Sequence, residues 1–249
     1  TLYYQPVVDC VTHELVGFEA LIRWPHPTQG MIMPNEFIGL AEKTGLIHPL
    51  GLWVLQRAIA DWATLRHFCS QGPLMHPFVS VNVSADELSD PRLIDSIFVQ
   101  LEARGIPPHE LKIELTETVV IENRDSVGDT LQTLAARGIG IALDDFGTGY
   151  ASMEYLRSLP ISTLKIDRSF VQDMTQVSSS DEIVHSAIRL GASLGMTVVA
   201  EGVENEATAK RLGAFGCHLA QGFYYAEPMP AMDVAAWVTQ AKRSGMLDS

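Results

Sequence analysis

The sequence predicts an α/β fold, a TIM-type (β/α)8 barrel whose first strand runs antiparallel to its neighbour. Three observations lead there: strand-like and helix-like runs alternate over the whole length, eight of the runs are strand-like, and the spacer after the first is too short for a crossover helix. At 249 residues the chain has the size at which such barrels occur as a single unit.

The strand-like runs fall at Leu2 to Val8, Val16 to Arg23, Phe78 to Val83, Leu111 to Leu115, Gly140 to Asp144, Thr163 to Ile166, Thr197 to Ala200 and Leu219 to Tyr224. Only Asp9 to Leu15 separate the first two, which predicts an antiparallel hairpin. Helix-like stretches occupy Pro34 to Lys43, Leu50 to Phe68, Asp90 to Arg104, Ser126 to Arg137, Asp181 to Leu194, Glu206 to Phe215 and Ala231 to Arg243. Gly105, Gly138 and Gly195 follow three of them and suit helix ends. No repeat, low-complexity tract or Pro/Gly-rich linker divides the chain, so one domain is expected over residues 1–249. Because the chain starts abruptly at Thr1 inside a strand, that domain is expected to be excised from a larger multidomain protein.

Apolar residues make up 47% of the chain and charged residues 19%, enough to bury a core and too little charge for disorder. A formal net charge of −13 argues against wrapping polymeric DNA or RNA, which needs clustered Lys and Arg. A small anionic ligand stays compatible, since bound divalent cations invert the field of an acidic pocket. Cys10, Cys69 and Cys217 lack CxxC spacing and read as buried thiols of a reducing compartment. No apolar run reaches the ~20 residues that span a bilayer and no leader opens the chain, so a cytoplasmic domain is expected, with membrane attachment of a parent protein left open.

Each strand run meets a polar residue at its end: Glu19, Asn82, Glu114, Asp144 with Asp145, Lys165, Glu201 and Gln221. In a barrel the carboxyl ends of parallel strands face one rim, so residues spread over the chain converge on one mouth. A lone strand-end acid is by default a solvated charge; the same anomaly on seven strands calls for a common cause. Converged carboxylates repel unless a cation neutralises them. Oxygen donors without matching His or Cys suit Mg²⁺ or Mn²⁺, and an adjacent aspartate pair can flank two ions. Lys165 reads either as a salt-bridge partner of Asp167, on the same side at period two, or as the group that orients or deprotonates an attacking water. The Gly-rich segment Asp145 to Ser152 reads as a tight turn or as a mobile loop over the site. Arg23 is balanced between a surface charge and a phosphate contact. Trp53, Trp62 and Phe68 are expected to share the core face of one helix, and none of the eight His residues is assigned to metal.

Taken together, YYQP, FEALIRW, PNEFIGLAEKTGLI, SVNVSA, IELTET, DDFGTGYAS, LKIDRSF, AEGVE and QGFYYAEPM, in that order, resemble the EAL family of cyclic di-GMP phosphodiesterases over nearly the whole chain. The resemblance implies metal-dependent hydrolysis of one phosphodiester of cyclic di-GMP to linear pGpG, with two ions of Mg²⁺ or Mn²⁺. Glu19, Asn82, Glu114 and Asp144 would hold one ion, with Asp144 shared and Asp145 and Glu201 serving the second. The catalytic set it implies is Glu19, Lys165, Glu201, Gln221 and Glu117, with Lys165 positioning the water, Gln221 in the water and ligand network, and Glu117 anchoring the DDFGTGY loop. Arg23, Gln5, Leu21 and Asp167 would serve substrate binding, Asp167 also supporting Lys165. A homodimer, fusion to regulatory domains and a bacterial setting are further implications. Ala151 departs from the family's usual Ser, and a short helix before YYQP is missing. Two other readings compete: a catalytically silent cyclic di-GMP receptor, and an enolase-like metal barrel acting on a carbon acid. The intact motifs favour the enzyme over the first and the aspartate pair disfavours the second.

Overall fold

The computed structural model describes residues 1–69, 76–122, 124–149, 153–175 and 177–248. Strands β1 (Leu2–Asp9) and β2 (Leu15–Ile22) form the expected antiparallel hairpin, with Gln5 opposite Glu19. A two-stranded ribbon not anticipated from the sequence, β3 (Trp24–His26) with β4 (Gly30–Ile32), follows it. Then come α1 (Pro34–Thr44), α2 (Ile47–Leu65), β5 (Phe78–Asn82), α3 (Ala85–Leu88), α4 (Pro91–Ala103), β6 (Leu111–Thr116), α5 (Glu117–Glu122), α6 (Arg124–Ala136) and β7 (Gly140–Phe146). The second half holds α7 (Met153–Ser158), β8 (Thr163–Ile166), α8 (Arg168–Asp173), α9 (Ser178–Ser193), β9 (Thr197–Ala200), α10 (Glu206–Ala214), β10 (Leu219–Ala220), β11 (Met229–Pro230) and α11 (Val234–Arg243).

The sheet runs β10-β9-β8-β7-β6-β5-β2-β1, and pairing of β1 with β10 closes it into a barrel. β1 is antiparallel to both neighbours, whereas every pair from β2 round to β10 is parallel. The eight expected strands are therefore the barrel staves, with β11 pairing on β1 through Tyr3 and Tyr4. The last stave is shorter than the sequence suggests. Pairing stops at Ala220, and Gln221 lies in the loop beyond, where its N–H donates to Ala200 O at 2.9 Å and its carbonyl accepts from Val203 N at 3.0 Å.

Local chemistry sets several helix starts. Asp90 accepts from Arg92 N ahead of Pro91, Ser84 and Glu87 form a reciprocal cap, and Asn205 accepts from Thr208 N. In α2 the buried side chains Val54, Leu55, Ala58, Ile59, Trp62 and Leu65 repeat at helical spacing and seat it on the barrel wall. Trp62 is fully buried with its Nε1 donating to Glu110 at 2.9 Å, but Trp53 is 42% exposed and does not join the core face expected of it. One apolar layer lies between the strands and the helices. A smaller cluster, Val7, Val16, Phe78, Val199 and Leu219, fills the barrel interior. No helix among the described residues is long and apolar enough to cross a membrane, and all three cysteines are buried and free.

Candidate metal centre

The inward faces of the staves carry the site. Successive side chains alternate across a strand, so Glu19 within β2, Glu114 within β6 and Lys165 within β8 point inward from mid-strand rather than from strand ends. Asn82 ends β5, and Glu201 follows β9 directly.

Asp144 and Asp145 are neighbours and would ordinarily face opposite sides. Here the β7–β8 pairing skips between Leu143 and Phe146, and Asp145 takes φ 55°, a left-handed backbone uncommon outside glycine. This irregularity lets both carboxylates line the mouth.

Two overlapping oxygen clusters result: Glu19, Glu114 and Asp144, and Asp144, Asp145 and Glu201, with the donor atoms of each within 4.8 Å of one another. Lys165 Nζ stands among them, 2.5 Å from Glu114 Oε2, 2.7 Å from Glu201 Oε1, 3.3 Å from Asp144 Oδ2 and 3.4 Å from Glu19 Oε2. Burial opposes its charge, yet the four carboxylates outweigh burial and hold the ammonium well above its ordinary value. Burial pushes Glu114 up to about 8 and Glu201 well above the carboxylate range, while Asp145 rises through burial and the adjacent Asp144. Glu19 is the exception: burial works against its charge, but Lys165, Gln221 and Asn82 together bring it below its usual value.

Amides finish the inner wall. Asn82 Nδ2 donates to Glu19 Oε1 at 2.8 Å, and Gln221 Nε2 donates to Glu19 Oε2 at 2.6 Å and Gln5 Oε1 at 2.9 Å. Gly222 lets the Gln221 loop lie on the Glu201 loop: a Cβ there would sit 2.2 Å from the backbone N and O of Val203. Glu117, buried, accepts from Gly147 N at 3.0 Å and so ties down the turn after Asp145, where Gly147 takes φ 102°.

A cavity of about 430 Å³ opens on the clusters, lined by Gln5, Glu19, Leu21, Asp144, Asp145 and Asp167 on one side and by Glu201, Gln221 and the rim residues Arg168, Gln172, Glu204 and Phe223 on the other. A second depression of about 570 Å³ meets it at Leu21 and Asp145 and also touches Asn82 and Glu114.

The expected residues thus gather at one mouth, with three adjustments. Asp167 lines the cavity but is not an ion-pair partner of Lys165; β8 ends at Ile166, and Asp167 instead caps α8 by accepting from Ser169 N at 3.0 Å. Arg23 lines neither cavity, and its Nη1 donates to Ile22 O at 2.8 Å. Ala151 and the end of the Gly-rich loop at Ser152 lie outside the described residues. Arg168, Glu204 and Phe223 were missed, although each sits two or three positions past a flagged residue, where a barrel strand turns outward over its rim.

Deeper in the barrel, Lys112 Nζ lies 3.6 Å from the centre of the Phe78 ring and 3.2 Å from Thr163 Oγ1. Burial lowers its pKa to about 8, against the pull of Glu114.

The family model of the EAL domain matches residues 1–228. MucR of Pseudomonas aeruginosa, named a bifunctional diguanylate cyclase/cyclic di-GMP phosphodiesterase, is 41% identical over 237 residues, 95% of this chain and 34% of that protein. Cyclic di-GMP phosphodiesterase PA2567 of the same species is 39% identical over 237 residues, 95% of this chain and 40% of that protein. The chain spans about a third of the length of the first curated relatives it matches. Among solved structures, the PaMucR phosphodiesterase in complex with c-di-GMP superposes with a TM-score of 0.86 at 40% identity, covering 94% of this chain and 93% of that one. The FimX EAL domain from Pseudomonas aeruginosa bound to c-di-GMP gives 0.81 at 27% identity, covering 94% and 92%.

Proposed function

Because the chain belongs to the EAL domain family, we propose that it is a divalent-cation-dependent phosphodiesterase that opens cyclic di-GMP to linear pGpG. The observation that carries this reading is the pair of overlapping clusters formed by Glu19, Glu114, Asp144, Asp145 and Glu201, in which Lys165 is the one ammonium ion-paired to them among the described residues. One ammonium leaves a surplus of negative charge that divalent cations offset.

The residues fit such ions. Every donor in the two clusters is a carboxylate oxygen, with no His or Cys among the described residues in either, and Asn82 turns its Nδ2 to Glu19 and so leaves its carbonyl oxygen for a cation. Glu19, Asn82, Glu114 and Asp144 would hold one Mg²⁺ or Mn²⁺, and Asp144, Asp145 and Glu201 the other. Bound there, the ions supply a nucleophile at neutral pH and charge for the departing oxygen.

The chain's own groups do the rest. The water oxygen forms the new bond to phosphorus, the bond from phosphorus to the 3′ oxygen breaks, and the proton that the water gives up ends on that oxygen. Lys165 Nζ, within 3.4 Å of carboxylate oxygens of Glu19, Glu114, Asp144 and Glu201, orients the water as a hydrogen-bond donor. Gln221 completes the water network, Glu117 fixes the turn after Asp145, Leu21 and Asp167 line the cavity for the substrate, and Arg23 would have to swing off Ile22 O to reach a phosphate. A homodimer, fused regulatory domains and a cytoplasmic setting belong to the same proposal. Incubation with cyclic di-GMP and Mg²⁺ or Mn²⁺, followed by chromatography, should yield pGpG that chelator abolishes. Tight binding without turnover under either ion would make the domain a receptor instead.

A further inference from the structure

Gln5 and Gln221 face each other across the seam where β1 closes on β10, and three hydrogen bonds fix which way both amides point. Gln5 Nε2 donates to Ala226 O at 3.2 Å, and a carbonyl can only accept. Gln5 Oε1 is therefore the atom that receives Gln221 Nε2, at 2.9 Å. The same nitrogen donates to Glu19 Oε2 at 2.6 Å, and a carboxylate in that place accepts again. Gln221 Oε1 is the acceptor left over, buried and with no hydrogen-bond partner among the described residues. Buried acceptors are rarely left unmade, and this one belongs to a residue that lines the cavity beside Asp144 and Glu201.

We infer that Gln5 is a positioning residue for the attacking water: anchored on Ala226, it holds the Gln221 amide so that Oε1 accepts a hydrogen bond from that water, and it is not a substrate contact. The inference rests on the phosphodiesterase reading. It also reverses the role that the sequence resemblance implies for Gln5. A substrate contact would be felt in KM, whereas a residue that aims the water is felt in kcat. The two roles also ask for different atoms. Aiming Gln221 needs an acceptor turned toward it at position 5, while gripping an anionic substrate needs a donor turned toward the cavity.

The test is steady-state pGpG formation with Mn²⁺ by wild type, Gln5→Leu, Gln5→Glu, Gln221→Leu and the Gln5→Leu/Gln221→Leu double variant. Gln5→Leu should lower kcat by roughly ten- to a hundredfold with KM held within about twofold. Gln5→Glu, which keeps the acceptor for Gln221 Nε2 but gives up the donor to Ala226 O, should recover part of that loss and stands in if the leucine variant does not fold. The double variant should be no slower than Gln221→Leu alone, within about twofold, because both act through one hydrogen bond. An unchanged kcat with raised KM in Gln5→Leu, a Gln5→Glu slower than Gln5→Leu, or losses that multiply in the double variant would each overturn the inference while leaving the phosphodiesterase standing. Absence of pGpG from wild type would defeat the functional reading and this inference with it.

Discussion

Lys165 and Lys112 both enter the barrel from its wall, one at the mouth and one nearer the floor, and their surroundings differ in kind. Lys165 is met by Glu114, Glu201, Asp144 and Glu19, and its ammonium is secured although burial opposes it. Lys112 is met by the Phe78 ring and the Thr163 hydroxyl, and burial brings it down to about 8. Depth alone does not decide protonation in this barrel; the number of facing carboxylates does. The mouth therefore holds a fixed cation in a field that still wants more positive charge, while the floor holds a base that titrates near neutrality.

The sharpest test of this contrast is Lys165→Met, which should cost on the order of a thousandfold or more in kcat and leave the fold intact when divalent cation is present. A variant keeping a tenth of wild-type turnover would dissolve the distinction between the two lysines. Next in size, Glu19→Ala should abolish detectable pGpG and weaken Mn²⁺ binding by at least about a hundredfold, as read by titration calorimetry. Unaltered binding would remove Glu19 from the centre.

The protonation of the mouth gives a third, smaller effect. Glu114 is raised to about 8, chiefly by burial, so below that pH the cation-free site carries a proton that a cation must displace. Apparent Mn²⁺ affinity should therefore rise with pH up to about 8, with proton release visible as a heat that changes with the ionisation enthalpy of the buffer. Affinity flat from pH 6 to 8 would contradict the raised carboxyls.

Smallest in its effect on turnover is Lys112→Met, expected to change kcat by no more than about threefold. Its signature lies in stability. A lysine whose folded pKa of about 8 is below its ordinary 10.5 favours the folded state above the higher value and loses that support as pH falls through the lower one. Wild type should thus gain stability between pH 8 and pH 10.5, on the order of 3 kcal/mol from this group, and Lys112→Met should not. Melting curves across that window decide it.

Most of the barrel could be read from the chain because parallel staves repeat one pattern: an apolar run, a polar inward residue, then a helix. That pattern located all eight staves and the carboxylates on them. It failed where period-two reasoning ran past the end of a strand. Asp167 lies one residue beyond β8 and answers to the backbone of α8, not to Lys165. Leu219 to Tyr224 reads as a strand because four of its six residues are apolar or aromatic, yet backbone hydrogen bonds with Val203 bend it away after Ala220. Trp53 shows the converse error, an aromatic on a helix whose buried stripe passes beside it. Lys112 sits two residues before Glu114 on β6, so period two puts it on the inward face, but nothing local says that it will meet a phenylalanine ring and not a carboxylate.

The left-handed backbone at Asp145 has a bearing on how this domain responds to selection. A side chain at φ 55° costs the fold on the order of 1 kcal/mol that glycine would not, and the return on that expense is a second carboxylate at the mouth. A library screened only for heat tolerance should therefore enrich glycine at position 145, and those survivors would melt later than their parent while having discarded a carboxylate of the second oxygen cluster. In this barrel, ruggedness and chemistry compete for the same torsion angle.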